Sequence, residues 1–133
     1  MTITLFGSTC SSSKKAIQWF MDHDIPYEFR HIVHQPLTEK EFFSILEKTE
    51  KGTEEIISTR SEAYRTLDID FASISLKKLY TYIREFPTLL RRPIIMDKKR
   101  VLVGYDAHEI RQFLPRNMRK FIWGNQDVLP SHM

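Results

Sequence analysis

Three residues have the types and positions to do chemistry: Cys10, Ser13 and Arg92. Cys10 follows a short alternating apolar pattern, at the point where a helical pattern begins. Unpaired backbone N–H groups and the positive end of a helix dipole favour a thiolate there, which would be a nucleophile at neutral pH. Ser13 stands where the second thiol of a Cys-X-X-Cys pair would stand. A hydroxyl can hydrogen-bond the thiolate but cannot resolve a mixed disulfide. Arg92 directly precedes Pro93 at the opening of a strand pattern, and a guanidinium brought near the sulfur would stabilise the thiolate and hold an oxyanion. A buried, inert cysteine and a surface arginine are the plainer readings of the same residues. Cys10 is the single cysteine of the chain, which excludes an intramolecular disulfide and a multi-thiolate zinc site. His23, His31, His34, His108 and His132 are scattered without ligand spacing, so no metal and no cofactor is expected.

These groups need elements to position them. Residues 2–6 alternate as a strand ending at Gly7, and the polar run from Ser8 to Ser13 leads into a helix over 14–23 with Ala16, Ile17, Phe20 and Met21 on one side. Residues 27–32 alternate again, so the opening unit reads as βαβ, whose parallel strands need a crossover helix. Residues 37–86 change to helical period. Thr38 and Glu41 form a capping box, a second is expected at Thr59 to Glu62, and Ser75 precedes Leu76, Leu79, Tyr80 and Ile83. A hairpin is expected from 93–96 and 101–103, and a last capping box, Asp106 with Glu109, opens a helix that Pro115 closes. With the middle block set aside, this is an α/β, thioredoxin-like plan with a small mixed sheet. The expected organisation is a thioredoxin-like domain from 1–36 and 87–120, an inserted helical subdomain at 37–86, and a tail at 121–133 without periodicity, as in disordered termini.

Composition narrows the class. A chain of 133 residues, 41% apolar and 28% charged, has the makings of one globular core. Its apolar runs are too short to span a membrane and its N-terminus lacks the pattern of a secretory signal, so a cytoplasmic location is expected. The net charge of +3 is unevenly spread: residues 1–60 hold seven Lys and Arg against nine Asp and Glu, and residues 61–133 hold thirteen against eight. The basic half suits an anionic partner, while a solvated surface accounts for it equally well.

The Cys10 loop, the segment from Thr49 to Ser61, Leu90-Arg91-Arg92-Pro93-Ile94-Ile95, Val103-Gly104-Tyr105 and Phe113-Leu114-Pro115-Arg116 together resemble the Spx proteins, of the arsenate reductase (ArsC)-like branch of the thioredoxin fold. The resemblance runs from residue 1 to about 120. It implies a transcriptional regulator, not an enzyme, that binds the C-terminal domain of the RNA polymerase α subunit and meets promoter DNA in complex with polymerase. It further implies a chain that is monomeric when free, with its abundance under a protease system. Gly52 matches the glycine on which α-subunit binding depends, and Arg60 a basic residue placed to contact DNA; two positions on, where the family tends to be basic again, stands Glu62. Cys10 and Ser13 match the two positions of the family's redox pair, and Arg92 the arginine that responds to its state. With Ser13 there, an intramolecular disulfide switch cannot operate, and regulation independent of redox state is expected.

The alternative is an ArsC-like, thiol-dependent arsenate reductase or monothiol oxidoreductase using Cys10, Arg60 and Arg92. Against it, Gly104 occupies the place of a basic residue expected after the last strand, and Lys14 stands where the reductases carry arginine.

Overall fold

The computed structural model describes residues 2–115. Its centre is a four-stranded mixed sheet of order β2-β1-β3-β4, comprising β1 (Thr4–Gly7), β2 (Glu28–His31), β3 (Ile94–Met96) and β4 (Val101–Val103). β1 pairs in parallel with β2 across the crossover helix α1 (Ser11–Asp22), and antiparallel with β3, which continues into the β3–β4 hairpin. This is the thioredoxin-like plan expected from the sequence. The two-residue period of β1 splits the core between the two faces of the sheet. Leu5 and its partner Ile95 pack with Ala16 and Phe20 of α1 and with Ile110 and Phe113 of a C-terminal 3-10 turn (Glu109–Phe113). Phe6 and its partner Ile94 pack on the opposite face with Phe42, Ile45, Leu79 and Ile83.

The second face is covered by a helical block: α2 (Glu39–Lys48), α3 (Thr53–Ile56), α4 (Glu62–Leu67) and α5 (Leu76–Glu85). α2 starts with the expected capping box: Thr38 Oγ1 accepts from the Glu41 amide at 3.1 Å, and Glu41 Oε1 accepts from the Thr38 amide at 2.9 Å. The same Glu41 pairs with Arg30 of β2, whose guanidinium lies over the Phe6 ring. Thr38→Ala is expected to cost about 1 kcal/mol, which urea denaturation would read as a lower midpoint; an unchanged midpoint would contradict the role of the cap.

Four local expectations need correction. The cap of α4 is Ser61, whose Oγ accepts from the Tyr64 amide at 3.1 Å, rather than Thr59. Helical structure is not continuous through 37–86, because residues 57 and 58 are tied to an extended partner: Ile57 bridges Leu90, and the Ser58 amide donates to the Leu89 carbonyl at 2.7 Å. The Asp106 carboxylate accepts from the His108 and Glu109 amides, each at 2.8 Å, and heads a 3-10 turn instead of an α-helix with a reciprocal box. Those two amides, Glu109 first, hold the Asp106 carboxyl below its ordinary range. α1 begins three residues earlier than its apolar period indicates, since its first turn is serine-rich. Residues 121–133 lie outside the described residues. Among the described residues, no helix is long and apolar enough to cross a membrane.

Candidate functional site: the Cys10 loop and the Gly52 turn

Cys10 is the N-cap of α1 and is partly exposed. Its side chain makes no capping bond to the helix amides, so Sγ is held by its neighbours. The sulfur lies 3.1 Å from Ser13 Oγ. Ser13 is fully buried, and its Oγ also accepts from the Ser8 amide at 3.2 Å. Ser8 Oγ accepts from the Cys10 amide at 3.3 Å and from Arg92 Nη1 at 3.1 Å. Gly7 allows this closure: a Cβ on it would stand 2.6 Å from Ser13 Oγ. Arg92 reaches the loop from the opening of β3, across a cis peptide bond to Pro93.

Burial works against the Cys10 thiolate, but hydrogen bonds from the Ser13 and Ser8 side chains and the Ser13 backbone, with the charge of Arg92, hold the thiol below its ordinary value. The linkage has a definite sign. A depressed folded value contributes stability at pH above the ordinary thiol value, and that contribution is lost as pH falls through the folded one.

The sequence places Arg92 beside the sulfur; the structure seats its hydrogen bond on Ser8, and its charge is the smallest of the named influences on Cys10. The sequence does not single out Ser8. It lies in a hydroxyl-rich run just after Gly7, with nothing local to distinguish one serine from another.

The second place is the turn into α3. Gly52 is its N-cap with φ 71° and ψ −135°, and nothing lies within 4 Å of where a Cβ would be. The turn is held from beneath: the Gly52 amide donates to Thr49 Oγ1 at 3.1 Å, and Glu55 Oε1 accepts from the Lys51 amide at 3.0 Å and the Glu50 amide at 3.2 Å. Glu55 therefore shapes the turn, whereas Glu50 and Glu54 are exposed acids beside it. Arg91 ties this region to the sheet. Its amide donates to the Ile56 carbonyl at 2.8 Å and its Nη1 to the Glu55 carbonyl at 3.1 Å.

Arg60 is exposed and lines an open cleft of about 400 Å³ with Glu54, Ser58, Thr59 and Arg91. A neighbouring cleft of about 410 Å³ shares Glu54 and Arg91 and is lined by Glu50 and Lys51 next to Gly52. The structure thus brings Cys10, Ser13 and Arg92 together in one place, and Arg60 and the Gly52 turn into adjoining clefts in another. No hydrogen bond or ion pair joins Arg60 to the Cys10 loop among the described residues. Gly104, φ 85°, leaves room for the Arg91 guanidinium, which a Cβ there would meet at 3.3 Å. Among the described residues no cluster of three or more His, Cys, Asp or Glu is placed to hold a metal.

A thiol at the start of the first helix, a four-stranded mixed sheet and helices on both faces define an ArsC-type member of the thioredoxin fold. Solved structures share it: an ArsC family related protein from Bacteroides fragilis superposes with a TM-score of 0.74 at 21% identity, covering 84% of this chain and 97% of that one. An arsenate reductase from Vibrio cholerae gives 0.69 at 18% identity, covering 86% and 96%. The ArsC family model matches residues 6–113, and the chain belongs to that family. Within it the chain belongs with the Spx regulators. It is 52% identical over 120 residues to the global transcriptional regulator Spx of Staphylococcus aureus (strain Mu50 / ATCC 700699), covering 90% of this chain and 92% of the relative. It is 49% identical over 123 residues to the global transcriptional regulator Spx 2 of Oceanobacillus iheyensis, covering 92% and 91%.

Proposed function

We propose that this protein is a cytoplasmic, non-enzymatic regulator that binds the C-terminal domain of the RNA polymerase α subunit through the Gly52 turn, with Arg60 meeting promoter DNA in the same assembly. The observation that carries this reading is the turn itself. A glycine in a conformation that other residues rarely adopt, with open space over its α-carbon and its amides tied inward, offers bare backbone to a partner. Exposed Glu50 and Glu54 beside it suit a basic partner surface. Arg60 shares a cleft with Glu54, close enough for one body to meet both.

The reading is supported also by the Cys10 loop, where Arg92 is engaged by Ser8 and Arg60 belongs to a different cleft, so neither is committed to an oxyanion on the sulfur. Ser13 rules out an intramolecular disulfide, which leaves the chain's abundance, under a protease system, as the lever of control. The chain acts as a monomer until it meets polymerase.

Calorimetric titration with the purified α-subunit domain tests the proposal; absence of binding heat and of any co-elution would overturn it. Arg60→Gln is expected to leave binding to the isolated domain unchanged. On a promoter complex it should lower affinity and reduce the salt slope by about one. An unchanged slope would remove Arg60 from the DNA surface.

A second reading, a thiol-dependent reductase built on Cys10, Arg60 and Arg92, is favoured by one observation, the lowered Cys10 thiol. Arsenate turnover that disappears in Cys10→Ser would establish it.

A further inference from the structure

α1 ends without the charge that a helix end favours. Its last turn holds no basic residue, and Asp22 there and Asp24 in the following turn bring two exposed carboxylates to the negative end of the helix dipole. Asp22 Oδ1 accepts from Gln18 Nε2 at 2.8 Å, and among the described residues neither acid is in an ion pair. Beside them is a hollow of about 460 Å³ walled by Phe20, Met21, Ile25, Pro26 and Tyr27, with Asp24 as its acid. Met21, at 58%, is the most exposed large apolar side chain among the described residues. A second hollow, of about 240 Å³, continues from Pro26 and Tyr27 to Ile3.

The C-terminal segment of the chain has the composition and the reach to fill this place. The described residues end at Pro115, just after Phe113, whose ring is 6.1 Å from that of Phe20 in the wall of the hollow. Beyond Pro115 the sequence supplies the cations Arg116, Arg119 and Lys120, and then Phe121-Ile122-Trp123, the longest apolar run of the segment. The steps from Pro115 to Phe121 span up to roughly 20 Å, ample for a target that starts next to Phe113. Cations followed by an apolar run complement carboxylates beside an apolar hollow. A short tether also holds the segment at this place in millimolar effective concentration, ahead of any free partner.

We propose that Phe121-Ile122-Trp123 docks on the hollow at the C-terminal end of α1, with Arg119 and Lys120 set against Asp22 and Asp24, so that the chain covers this part of its own surface. Met21 is the centre of the contact: an exposed thioether on an aromatic-walled surface is an adaptable partner for an indole. The hollow belongs to the α1 face of the sheet, and the Gly52 turn to the helical block on the other face, so the docked segment leaves the turn open. The proposal does not depend on what that turn binds.

The test is tryptophan fluorescence of the full chain carrying Trp19→Phe, which leaves Trp123 as the single tryptophan. Trp123 emission is expected to lie to the blue of N-acetyltryptophanamide and to be quenched by acrylamide about threefold less, as for an indole docked about two-thirds of the time. Adding Met21→Lys, at an exposed helical position that lysine suits, should return both readings to those of the free amide while the chain still melts cooperatively. Phe43→Lys makes the same change at an exposed apolar residue of α2, on the other face, and should leave both readings as they were. Trp123 that is quenched as freely as the amide before any substitution at Met21 overturns the docking, and so does protection that survives Met21→Lys or is lost equally in Phe43→Lys. Protection that fades on dilution of the protein overturns it as well, because the hollow would then hold the segment of a second copy. None of these readings involves polymerase, so a failure of α-subunit binding and a failure of the docking are separate results.

Discussion

Gly52→Arg is expected to weaken binding to the α-subunit domain by at least about a hundredfold, close to 2.7 kcal/mol, while the free protein keeps its fold. Two separable effects act. The φ of 71° with ψ −135° is open to glycine and strained for any other residue, at a cost of roughly 1–3 kcal/mol in the free chain. Beyond that strain, no heavy atom lies within 4 Å of a Cβ at this position, so an arginine side chain leaves the backbone into open space, where a partner would enter. Gly52→Ala divides the two, since it carries the backbone strain with almost no side chain. Calorimetric titration and thermal melting of both variants read the outcome. An arginine variant that still melts cooperatively and binds within about twofold of the parent would move the polymerase contact away from this turn.

Ser13→Cys is expected to convert the Cys10 loop into an intramolecular disulfide pair, an all-or-none change in chemistry. The Ser13 oxygen is already 3.1 Å from the Cys10 sulfur, and rotation about the two side chains has to bring a sulfur at that place to a bond of about 2.05 Å. Gly7 provides the room, because a Cβ there would collide with the atom at the end of residue 13. Treated with oxidised glutathione, the variant should lose both free thiols and about 2 Da of mass without gaining an adduct, whereas the parent stops at a mixed disulfide. Polymerase binding should respond to oxidant in the variant alone. Two persistent free thiols under oxidising conditions would show that the loop is too rigid to close.

How much of this was legible in the sequence follows from where each interaction originates. Thr38 and Glu41, Ala16 and Phe20, and the alternation in β1 are signals three, four or two residues apart, and each gave the right element. The bridge from Ile57 to Leu90 and the Ser61 cap were not readable, because a partner beyond the helical block decides where helix gives way to extended backbone. The candidate site divides in the same way. Cys10 at a helix start is a local pattern, and so is a glycine between two helices. Ser8 meets Arg92 only in the folded chain, and the sequence offers no local trace of that meeting. Arg91 and Arg92 look alike as a basic pair, yet one donates to the Glu55 carbonyl under the Gly52 turn and the other to the Ser8 hydroxyl.

The packing of Phe6 and Ile94 against Phe42, Ile45, Leu79 and Ile83 has a practical meaning for dissecting the molecule. A peptide cut to the helices alone would carry the Gly52 turn but leave those four side chains with no sheet to cover them, a surface apt to aggregate rather than to report binding. The Ile56 and Glu55 carbonyls that Arg91 engages would lose their donor in the same cut. The smallest unit on which the turn can be studied in its native shape is therefore the chain from β1 through the 3-10 turn Glu109–Phe113, whose Ile110 and Phe113 cover the other face of the sheet.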